Sequence, residues 1–373
     1  MMRYCKTCII PSSRPNIQLN EEGICDACGS HTSRRAIDWE EREGTFRDVV
    51  EYAKSRSRGY DCLIPVSGGK DSTWQVVKAL EYGLNPLAVT WKTPARTEIG
   101  ARNLANLVNL GVDHMDYQVN PNVEKKFMLQ ALIRYGSTAI PMHMALFNIP
   151  LKVAVTFDIP LVIWGENSAF EYGGGEDVHK GFRLNGQWLK QYGVTQGTTA
   201  YDWKSDELTE KELTPYFGPT DEELERKGVL AIFLGHYFPW DPVASLEVAQ
   251  AHGFQVRQEG PKTGFYNYAD IDDDFISIHH YLKWYKFGFT RLFDNLSLEI
   301  RNGRMTREEA IQIVREGGDE TPHEDIARFC AFVGITQKQF FEIIEKFRNR
   351  EIWVRQNGKW MIEDFLIPDW RWT

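Results

Sequence analysis

A glycine pair between a short apolar run and a helix-forming stretch is the feature of this sequence that most restricts its fold. In "DCLIPVSGGKDSTWQVVKAL", residues 62–66 are apolar, and from Ser72 onward apolar residues recur at helical spacing. The pattern therefore predicts a strand, a loop and a helix. Gly68 and Gly69 permit backbone angles and a close approach that a side chain would prevent. The N–H groups of the loop and of the helix N-terminus can then face an anion.

The side chains of this loop add further donors for a phosphate. Ser67 and Ser72 supply hydroxyl groups, and Lys70 supplies a positive charge. Asp71 fits beside a polyphosphate mainly if Mg²⁺ lies between them, so we expect Asp71 to bind magnesium. A Walker A loop has Ser or Thr after its lysine and an earlier first glycine, and both are missing here. The alternative is an ordinary glycine turn with a serine N-cap.

Further segments alternate between strand and helix patterns. The predicted strands lie at 87–91, 113–119 and 160–164 and within "AIFLGHYFPWD", and a predicted helix ends at Gly111. This alternation predicts an α/β fold with a doubly wound parallel sheet, in which ligands bind at the carboxyl ends of the strands.

A polar turn follows the predicted strand at 160–164. Gly165, Glu166 and Asn167 lie at the carboxyl end of that strand. We expect Glu166 to ligate Mg²⁺ or orient the substrate, and Asn167 to donate to a phosphate or a sugar. The alternative is a polar turn that only caps the strand.

Four of the six cysteines form two Cys-x2-Cys pairs near the N-terminus, at Cys5, Cys8, Cys25 and Cys28. Paired thiolates of this spacing are typical of tetrahedral Zn²⁺ sites, and a closed four-cysteine shell indicates a structural metal. A disulfide pair, an iron–sulfur centre and a site in which His31 replaces one thiolate remain alternatives. The other two cysteines, Cys62 and Cys330, are isolated, which favours a reducing cytoplasm.

The C-terminal part of the chain is predicted to be helical and shows no catalytic signal of its own. In "FISIHHYLKWYKFGFTR", a helix would place Lys283 and Lys286 near one face, and together with Arg291 they would hold an anionic substrate. A solvated basic face is the alternative. Two later helices are predicted to begin at Thr306 and Thr336 with capping boxes. A hairpin turning on 357–358 follows.

Charge and hydropathy restrict the partners and the location. The formal net charge is −9 and the pI is about 5.6, which argues against a nucleic-acid partner. The N-terminal residues lack the apolar core of a signal peptide, and the sequence shows no apolar run long enough to cross a membrane. We therefore expect a cytoplasmic protein without a membrane partner. The sequence leaves the oligomeric state open, with a homodimer as one option.

Residues 67–72 resemble the PP-loop, S-G-G-x-D-S/T, of the ATP pyrophosphatases. In that family the loop holds the β,γ-pyrophosphate of ATP while a substrate oxygen attacks the α-phosphorus. The resemblance implies catalytic roles for Lys70, Asp71 and Glu166. The ATP-binding residues that it implies are Ser67, Gly68, Gly69, Lys70, Asp71, Ser72, Val89, Thr90 and Gly165.

Several segments together resemble the bacterial N-acetyl sugar amidotransferases of the WbpG/PseA type. These are "YCKTCIIPSSRPNIQLNEEGICDAC", "SGGKDSTWQ", "GENSAFEYGG" and "YLKWYKFGFTRLFDNLSLEIRNGRMTREEA". The resemblance implies an enzyme that uses ATP, Mg²⁺ and ammonia to convert an acetamido group of a nucleotide-activated sugar into an acetamidino group. Such sugars enter lipopolysaccharide O-antigens or flagellin glycans. Asn167, Lys283, Lys286 and Arg291 are the candidate substrate-binding residues.

The same resemblance divides the chain into three parts. Residues 1–35 form a zinc-binding module with four cysteine ligands, residues 36–275 a PP-loop ATP pyrophosphatase domain with a polar insertion at about 181–230, and residues 276–373 a C-terminal helical region ending in a hairpin. No glutaminase is predicted within the chain, because residue 2 is Met and no cysteine lies at an exposed nucleophile turn. The resemblance therefore implies a separate glutaminase subunit, like that of histidine biosynthesis, as the source of ammonia.

Two other functions fit parts of the sequence. A tRNA-thiolating PP-loop enzyme would also combine this loop with cysteine pairs, but it would need a basic face and further catalytic cysteines. A zinc module on an inactive nucleotide fold would be a non-catalytic scaffold, and the intact "SGGKDS" argues against it.

Overall fold

A five-stranded parallel sheet forms the centre of the computed structural model, which describes residues 2–174, 180–317 and 321–372. The strand order is β3-β2-β1-β4-β5, and all pairings are parallel. The strands are β1 (Cys62–Pro65), β2 (Pro86–Trp91), β3 (Asp113–Tyr117), β4 (Leu161–Trp164) and β5 (Leu230–Phe233). The α/β class and the parallel sheet predicted from the sequence are confirmed.

Helices cover both faces of this sheet. Their bounds in the described residues are α1 (Asp26–Ser33), α2 (Trp39–Arg56), α3 (Lys70–Glu81), α4 (Glu98–Val108), α5 (Pro121–Tyr135), α6 (Ala139–Thr156), α7 (Ser168–Glu171), α8 (Gly186–Tyr192), α9 (Asp221–Lys227), α10 (Pro242–Ala251), α11 (Ile276–Phe287), α12 (Arg291–Arg301), α13 (Arg307–Gly317), α14 (His323–Val333) and α15 (Gln337–Glu345). A short antiparallel hairpin, β6 (Val354–Gln356) and β7 (Lys359–Met361), lies near the C-terminus.

Alternating side chains of the strands supply two separate apolar cores. In β1, Leu63 belongs to the core that includes α5 and α6, whereas Ile64 belongs to the core that includes α2, α3 and α4. Strands buried on both faces are typical of sheets covered by crossover helices. The doubly wound arrangement is therefore present, with β1 at its centre.

One helix, α6, is long and apolar enough to cross a membrane by length and composition alone, although the sequence analysis expected no such segment. More than half of it is buried inside the protein. Its residues Ile140, Met144 and Ile149 pack in the same core as Leu63 of β1. These contacts make α6 a core helix that covers one face of the sheet.

The order of the strands fixes where a ligand can bind. Within the sheet, β2 and β3 lie on one side of β1, and β4 and β5 lie on its other side. Loops at the carboxyl ends of β1 and β4 therefore diverge and leave a crevice at the topological switch point. The glycine pair and the polar turn at 165–167 follow these two strands.

The cysteine-containing segment packs against the C-terminal part of the chain. Cys5, Cys25 and Cys28 share an apolar core with Trp284, Phe293 and several residues beyond position 350. In addition, the Arg307 side chain donates a 3.1 Å hydrogen bond to the carbonyl of Cys8. The predicted division into three parts stays a prediction, but its first and last parts share one core.

Local signals near the C-terminus are confirmed. Thr306 and Thr336 each exchange capping hydrogen bonds with the residue three positions later. The hairpin turns on Asn357 and Gly358. Both have positive φ, as the two central residues of a type I′ turn require.

Candidate active site

The loop after β1 is held in place by its backbone. The Val66 N–H donates 2.9 Å to the carbonyl of Val89 on the neighbouring strand. Gly68 then takes φ = 88°, and a Cβ atom at this position would lie 2.6 Å from the backbone nitrogen of Leu104. Only glycine satisfies both conditions. The chain can therefore turn sharply between β1 and α3 with α4 close beside it.

Helix α3 begins in the loop without a side-chain cap. Gly69 is its N-cap and makes no side-chain capping bond, while the Ser72 and Thr73 hydroxyls donate to the Gly69 carbonyl at 3.0 and 3.1 Å. The first N–H groups of the helix therefore have no side-chain acceptor. Such a terminus carries partial positive charge and binds anions.

Lys70 and Asp71 form the charged centre of the loop. Lys70 Nζ donates to both Asp71 carboxylate oxygens, at 2.7 and 2.6 Å, and is almost fully buried. The indole nitrogen of Trp240 donates 2.9 Å to Asp71 Oδ1, and its ring lies 5.4 Å from Lys70 Nζ. The aromatic turn after β5 thereby fixes the Asp71 carboxylate and the Lys70 ammonium group together.

A cavity of about 210 Å³ lies over this loop, and we call it the loop cavity. Ser67, Gly69, Lys70, Asp71 and Glu166 contribute to its lining. Further lining residues come from the segment before α11 and from α12: Tyr266, Tyr268, Asp270, Asp272, Arg291 and Asn295. The C-terminal region, which showed no catalytic signal in the sequence, therefore supplies a wall of the candidate active site.

Carboxylates outnumber cations around the loop cavity. Its described lining contains Asp71, Glu166, Asp270 and Asp272 against Lys70 and Arg291. Burial and the nearby Asp71 raise the pKa of Glu166 to about 7. Burial also raises the pKa of Asp272, although a hydrogen bond from Ser67 opposes this.

One carboxylate of the loop cavity is held ionised. Burial alone would raise the pKa of Asp270, but Arg291 and His280 together keep it well below its usual range. The Arg291 Nε atom lies 2.9 Å from Asp270 Oδ2, and His280 Nε2 lies 3.4 Å from Oδ1. Asp270 also takes a left-handed backbone conformation with φ = 56°, which is uncommon for a residue with a side chain.

The residues around the loop cavity fit a magnesium–phosphate group. A helix terminus without a side-chain cap and the Lys70 ammonium group are suited to phosphate oxygens, and the Asp71 and Glu166 carboxylates supply the oxygen ligands that Mg²⁺ prefers. The volume is below the roughly 300–1,000 Å³ of pockets that enclose a drug-sized ligand. The loop cavity therefore suits phosphates, and the rest of a nucleotide would extend beyond it.

The other predicted ATP-binding residues, Val89, Thr90 and Gly165, lie next to the loop backbone or to helix α3. Thr90 Oγ1 donates 2.7 Å to the carbonyl of Val66, and both Val89 and Thr90 are buried. A Cβ atom on Gly165 would lie 2.6 Å from the side-chain nitrogen of Gln75. Their assignment to ATP stays a prediction, and the contacts found here are to the protein.

Asn167 is engaged with its own surroundings. It is buried, accepts hydrogen bonds from the Ala169 N–H at 3.0 Å and the Trp188 indole at 3.1 Å, and donates to the Gly181 carbonyl at 3.1 Å. These bonds cap α7 and join it to α8. The predicted contact of Asn167 with substrate stays untested, while its neighbour Ser168 lines a second cavity.

The three cations predicted to bind substrate do not share one cavity. Arg291 lines the loop cavity, whereas Lys283 and Lys286 line a second cavity of about 560 Å³, which we call the lysine cavity. Helix α11 ends at Gly288, with φ = 69°, so Arg291 begins a separate helix. Lys283 lies 3.1 Å from Asp294, and Lys286 donates 3.0 Å to the carbonyl of Tyr135.

The four N-terminal cysteines form one buried cluster. Their sulfur atoms all lie within 4.8 Å of one another, and the Cys5–Cys28 and Cys8–Cys25 sulfurs are 3.9 and 3.7 Å apart. A tetrahedral site with metal–sulfur bonds of about 2.3 Å has sulfur–sulfur edges of roughly 3.8 Å. All four thiols are free, so a disulfide is absent and the geometry fits a four-coordinate metal.

The remaining cysteines, Cys62 and Cys330, are buried as well. Burial raises the pKa of both thiols, which makes them poor nucleophiles. Neither lies among the residues that line the loop cavity. They do not resemble the exposed, acidic cysteines that carry sulfur in thiolating enzymes.

Several site residues escaped the sequence analysis. Trp240 lies in "AIFLGHYFPWD", for which only a strand was predicted, and Asp270 and Asp272 lie in the run "ADIDDD". That cluster of acidic residues beside aromatic ones was the available signal. Arg14, which lies between the cysteine pairs and lines the lysine cavity, had no local signal at all.

The parallel sheet, its switch point and the "SGGKDS" loop together define an α/β protein whose loop resembles the PP-loop. Within it, residues 262–366 match the family model described as "LPS biosynthesis protein WbpG-like, C-terminal domain". This segment is therefore WbpG-like, and the resemblance expected from the sequence is confirmed there.

Similar solved structures add little to this assignment. NMN synthetase from Francisella tularensis aligns with a TM-score of 0.37 and 11% identity over 80% of this chain and 94% of that one. NH3-dependent NAD synthetase from Campylobacter jejuni aligns with a TM-score of 0.28 and 16% identity over 52% and 94%. Both scores lie below 0.5, so neither likeness bears on function. A search of curated proteins gave no match.

Proposed function

We propose that this chain is an ATP-dependent amidotransferase that converts the acetamido group of a nucleotide-activated sugar into an acetamidino group. The reaction would serve the synthesis of a bacterial surface glycan, such as a lipopolysaccharide O-antigen or a flagellin glycan, and would take place in the cytoplasm. The reagents are ATP with Mg²⁺, ammonia and the sugar.

One observation carries this proposal. The WbpG-like segment 262–366 and the glycine loop 67–72 both contribute residues to the lining of the loop cavity. A segment similar to this family of lipopolysaccharide proteins thus lies beside the groups that we propose bind ATP. That arrangement favours one reaction at a shared site over two unrelated functions on one chain.

The chemistry requires activation, because an amide is a poor electrophile and its oxygen is a poor leaving group. In the proposed first step, the amide oxygen attacks the α-phosphorus of ATP and pyrophosphate leaves. Ammonia then adds to the carbon of the resulting imidate. AMP departs with the former amide oxygen, and the acetamidino product keeps the new nitrogen.

The residues of the loop cavity would mainly position ATP and stabilise the negative charge of its phosphates. The N–H groups at the start of α3 and the Lys70 ammonium group would hold the departing pyrophosphate, where donors already fixed in place would lower the barrier. Asp71, fixed by Lys70 and Trp240, and Glu166 would hold Mg²⁺, which neutralises phosphate charge when bound. Arg291 would place a further positive charge in the same cavity.

We assign the four-cysteine cluster to structural Zn²⁺. The two sulfur–sulfur distances and the burial of all four thiols fit a closed tetrahedral shell that leaves no open position. An iron–sulfur centre would use the same ligands, and metal analysis distinguishes the two.

Ammonia would come from a separate glutaminase subunit. All six cysteines of the chain are buried, so none offers the exposed thiol that a cysteine glutaminase needs. Free ammonia is mostly protonated at neutral pH, so a docked glutaminase would supply the reactive form.

The decisive experiment incubates the chain with ATP, Mg²⁺, ammonium and UDP- or CMP-linked diacetamido sugars. Mass spectrometry should show one oxygen replaced by an NH group, with AMP and pyrophosphate formed in equal amounts. Absence of sugar-dependent pyrophosphate with every candidate, together with tight and salt-sensitive binding to tRNA, would favour the thiolating alternative.

A further inference from the structure

The lysine cavity differs from the loop cavity in size and charge. It measures about 560 Å³, and its described lining includes Arg14, Ser137, Ser168, His279, Lys283 and Lys286. No Asp or Glu occurs among these described lining residues. Three cationic side chains among described lining residues that include no carboxylate favour the binding of an anion.

Two of these cations, Arg14 and Lys283, pair with one buried carboxylate, that of Asp294. Asp294 is 1% exposed and lies 2.9 Å from Arg14 Nε and 3.1 Å from Lys283 Nζ. Arg291 of the loop cavity lies 4.0 Å from the same carboxylate. Asp294 therefore fixes the cations but cannot neutralise all of them.

Lys286 has no such partner. Its Nζ donates to the carbonyl of Tyr135, and no carboxylate of the described chain lies within ion-pair distance of it. Burial lowers its pKa to about 8, in keeping with a cation that lacks a counter-ion. A bound anion would supply the missing charge.

The two cavities lie side by side. Tyr172 lines the loop cavity and the next residue, Gly173, lines the lysine cavity. The Arg14 guanidinium lies over the Tyr172 ring, 5.6 Å from its centre. A molecule anchored by an anion in the lysine cavity could thus direct an uncharged group toward the phosphates at the loop.

We infer that the lysine cavity binds the acidic part of the sugar substrate, with Lys286 as the main anchoring cation and Arg14 and Lys283 as supporting donors. The inference rests on the proposed function, since it locates that substrate. The anion is either a carboxylate on the sugar ring or the phosphate that links sugar and nucleotide. Both have the same recognition chemistry, a fixed set of N–H donors around negative oxygens.

Lys286→Met is the sharpest test, because it removes the charge without leaving a carboxylate unpaired. Lys338→Met is the matched control, since Lys338 is highly exposed on α15. Calorimetry on the full chain would use UDP-N-acetylglucosamine, its uronic acid counterpart, CMP-N-acetylneuraminic acid and, separately, a non-hydrolysable ATP analogue. A thermal melt checks that each variant folds.

We expect Lys286→Met to weaken sugar-nucleotide binding by about tenfold or more, in line with loss of a charge-assisted hydrogen bond. ATP-analogue affinity and the control variant should be unchanged. If the ring carboxylate is the anchor, the wild type prefers the uronic acid and the variant loses that preference. If the phosphate is the anchor, both UDP-sugars weaken equally.

Two results would overturn the inference: equal sugar-nucleotide affinity in the wild type and Lys286→Met, or no binding of any of the three sugar nucleotides by the wild type. Failure of the proposed function gives a different pattern. In that case the wild type binds sugar nucleotides in the Lys286-dependent way, but neither acetamidino product nor sugar-dependent pyrophosphate forms with ATP, Mg²⁺ and ammonium.

Discussion

The indole N–H of Trp240 donates a 2.9 Å hydrogen bond to Oδ1 of Asp71, joining the turn after β5 to the loop after β1. The two residues are far apart in sequence, and the same carboxylate also accepts from Lys70. The bond holds Asp71 in one orientation before any ligand arrives. Such preorganisation is the main way in which a site of this kind stabilises charge.

Trp240→Phe should lower the rate of pyrophosphate release by about tenfold while leaving the fold intact. The ring remains to pack beside Lys70, and only a hydrogen bond to a charged group, worth about 1.5–3 kcal/mol, is lost. Trp360→Phe, on the distant hairpin, is the control. An unchanged rate in Trp240→Phe would show that Asp71 needs no help from the indole.

Asp71→Asn should abolish measurable turnover, with a fall of at least about a hundredfold in pyrophosphate release. The amide would no longer bind Mg²⁺ well or pair with Lys70. The melting temperature should stay close to that of the wild type, because the side chain is partly exposed in the loop cavity. Asp48→Asn, on the exposed face of α2, serves as control. Full activity in Asp71→Asn would remove this residue from the mechanism.

Cys25→Ser should lower metal content and stability together. Three thiolates hold a tetrahedral metal less well than four, and we expect the melting temperature to fall by at least about 5 °C. Cys330→Ser, which changes a buried cysteine outside the cluster, should keep its metal. Metal analysis by mass spectrometry decides the matter; one full equivalent in Cys25→Ser with an unchanged melt would contradict a four-thiolate site.

The affinity for a sugar nucleotide should fall as pH rises through about 8. The pKa of Lys286 is lowered to about 8 by burial, so the side chain is charged below this pH and neutral above it. In the same cavity, burial holds the pKa of His279 well below its usual range, so this imidazole does not titrate in the same window. Burial also lowers the pKa of Lys283, which Asp294 partly opposes.

The pH dependence of folding stability at Lys286 is opposite to that of sugar-nucleotide affinity. Between pH 8 and the usual pKa of lysine, about 10.4, the unfolded chain binds a proton at Lys286 that the folded chain lacks. The contribution of this group to stability therefore rises with pH over that window. Calorimetric titrations from pH 7 to roughly 9.5 should show the loss of affinity in the wild type and a flatter profile in Lys286→Met. Parallel profiles would assign the effect to another group.

Turnover by the purified chain should require ammonium, or glutamine together with a glutaminase subunit. No cysteine of the chain is exposed, so glutamine alone should give no product. The assay compares acetamidino-sugar formation with glutamine, ammonium and both, in protein shown to be free of glutaminase. Efficient use of glutamine by this chain alone would refute the need for a partner.

Features that depend on a few neighbouring residues were predictable from the sequence. The strand, glycine turn and helix around position 68 follow from local hydrophobic spacing and from a backbone conformation that only glycine takes easily. The spacing of the cysteine pairs predicts that the four thiols meet at one site, and their sulfur atoms do lie within 4.8 Å of one another. The capping boxes at Thr306 and Thr336 likewise involve residues three apart.

The parts that could not be predicted depend on long-range packing. Arg14 reaches the lysine cavity because the cysteine segment packs on α12, where Arg14 bonds to Asp294. No residue near Arg14 in the sequence predicts this contact. Lys283 and Arg291 were grouped as one stripe because they are close in sequence. The left-handed residue Gly288 separates their helices and sends them to different cavities.

The shared core of the two chain ends has a consequence for biosynthesis. The cysteine segment is translated long before Trp353 and Phe365, with which it shares a core. Until those later residues are made, part of the apolar surface of the early segment stays uncovered. Nascent chains stopped by a late nonsense codon would therefore expose an apolar, cysteine-rich surface, and a supply of metal during synthesis should protect them from aggregation and proteolysis.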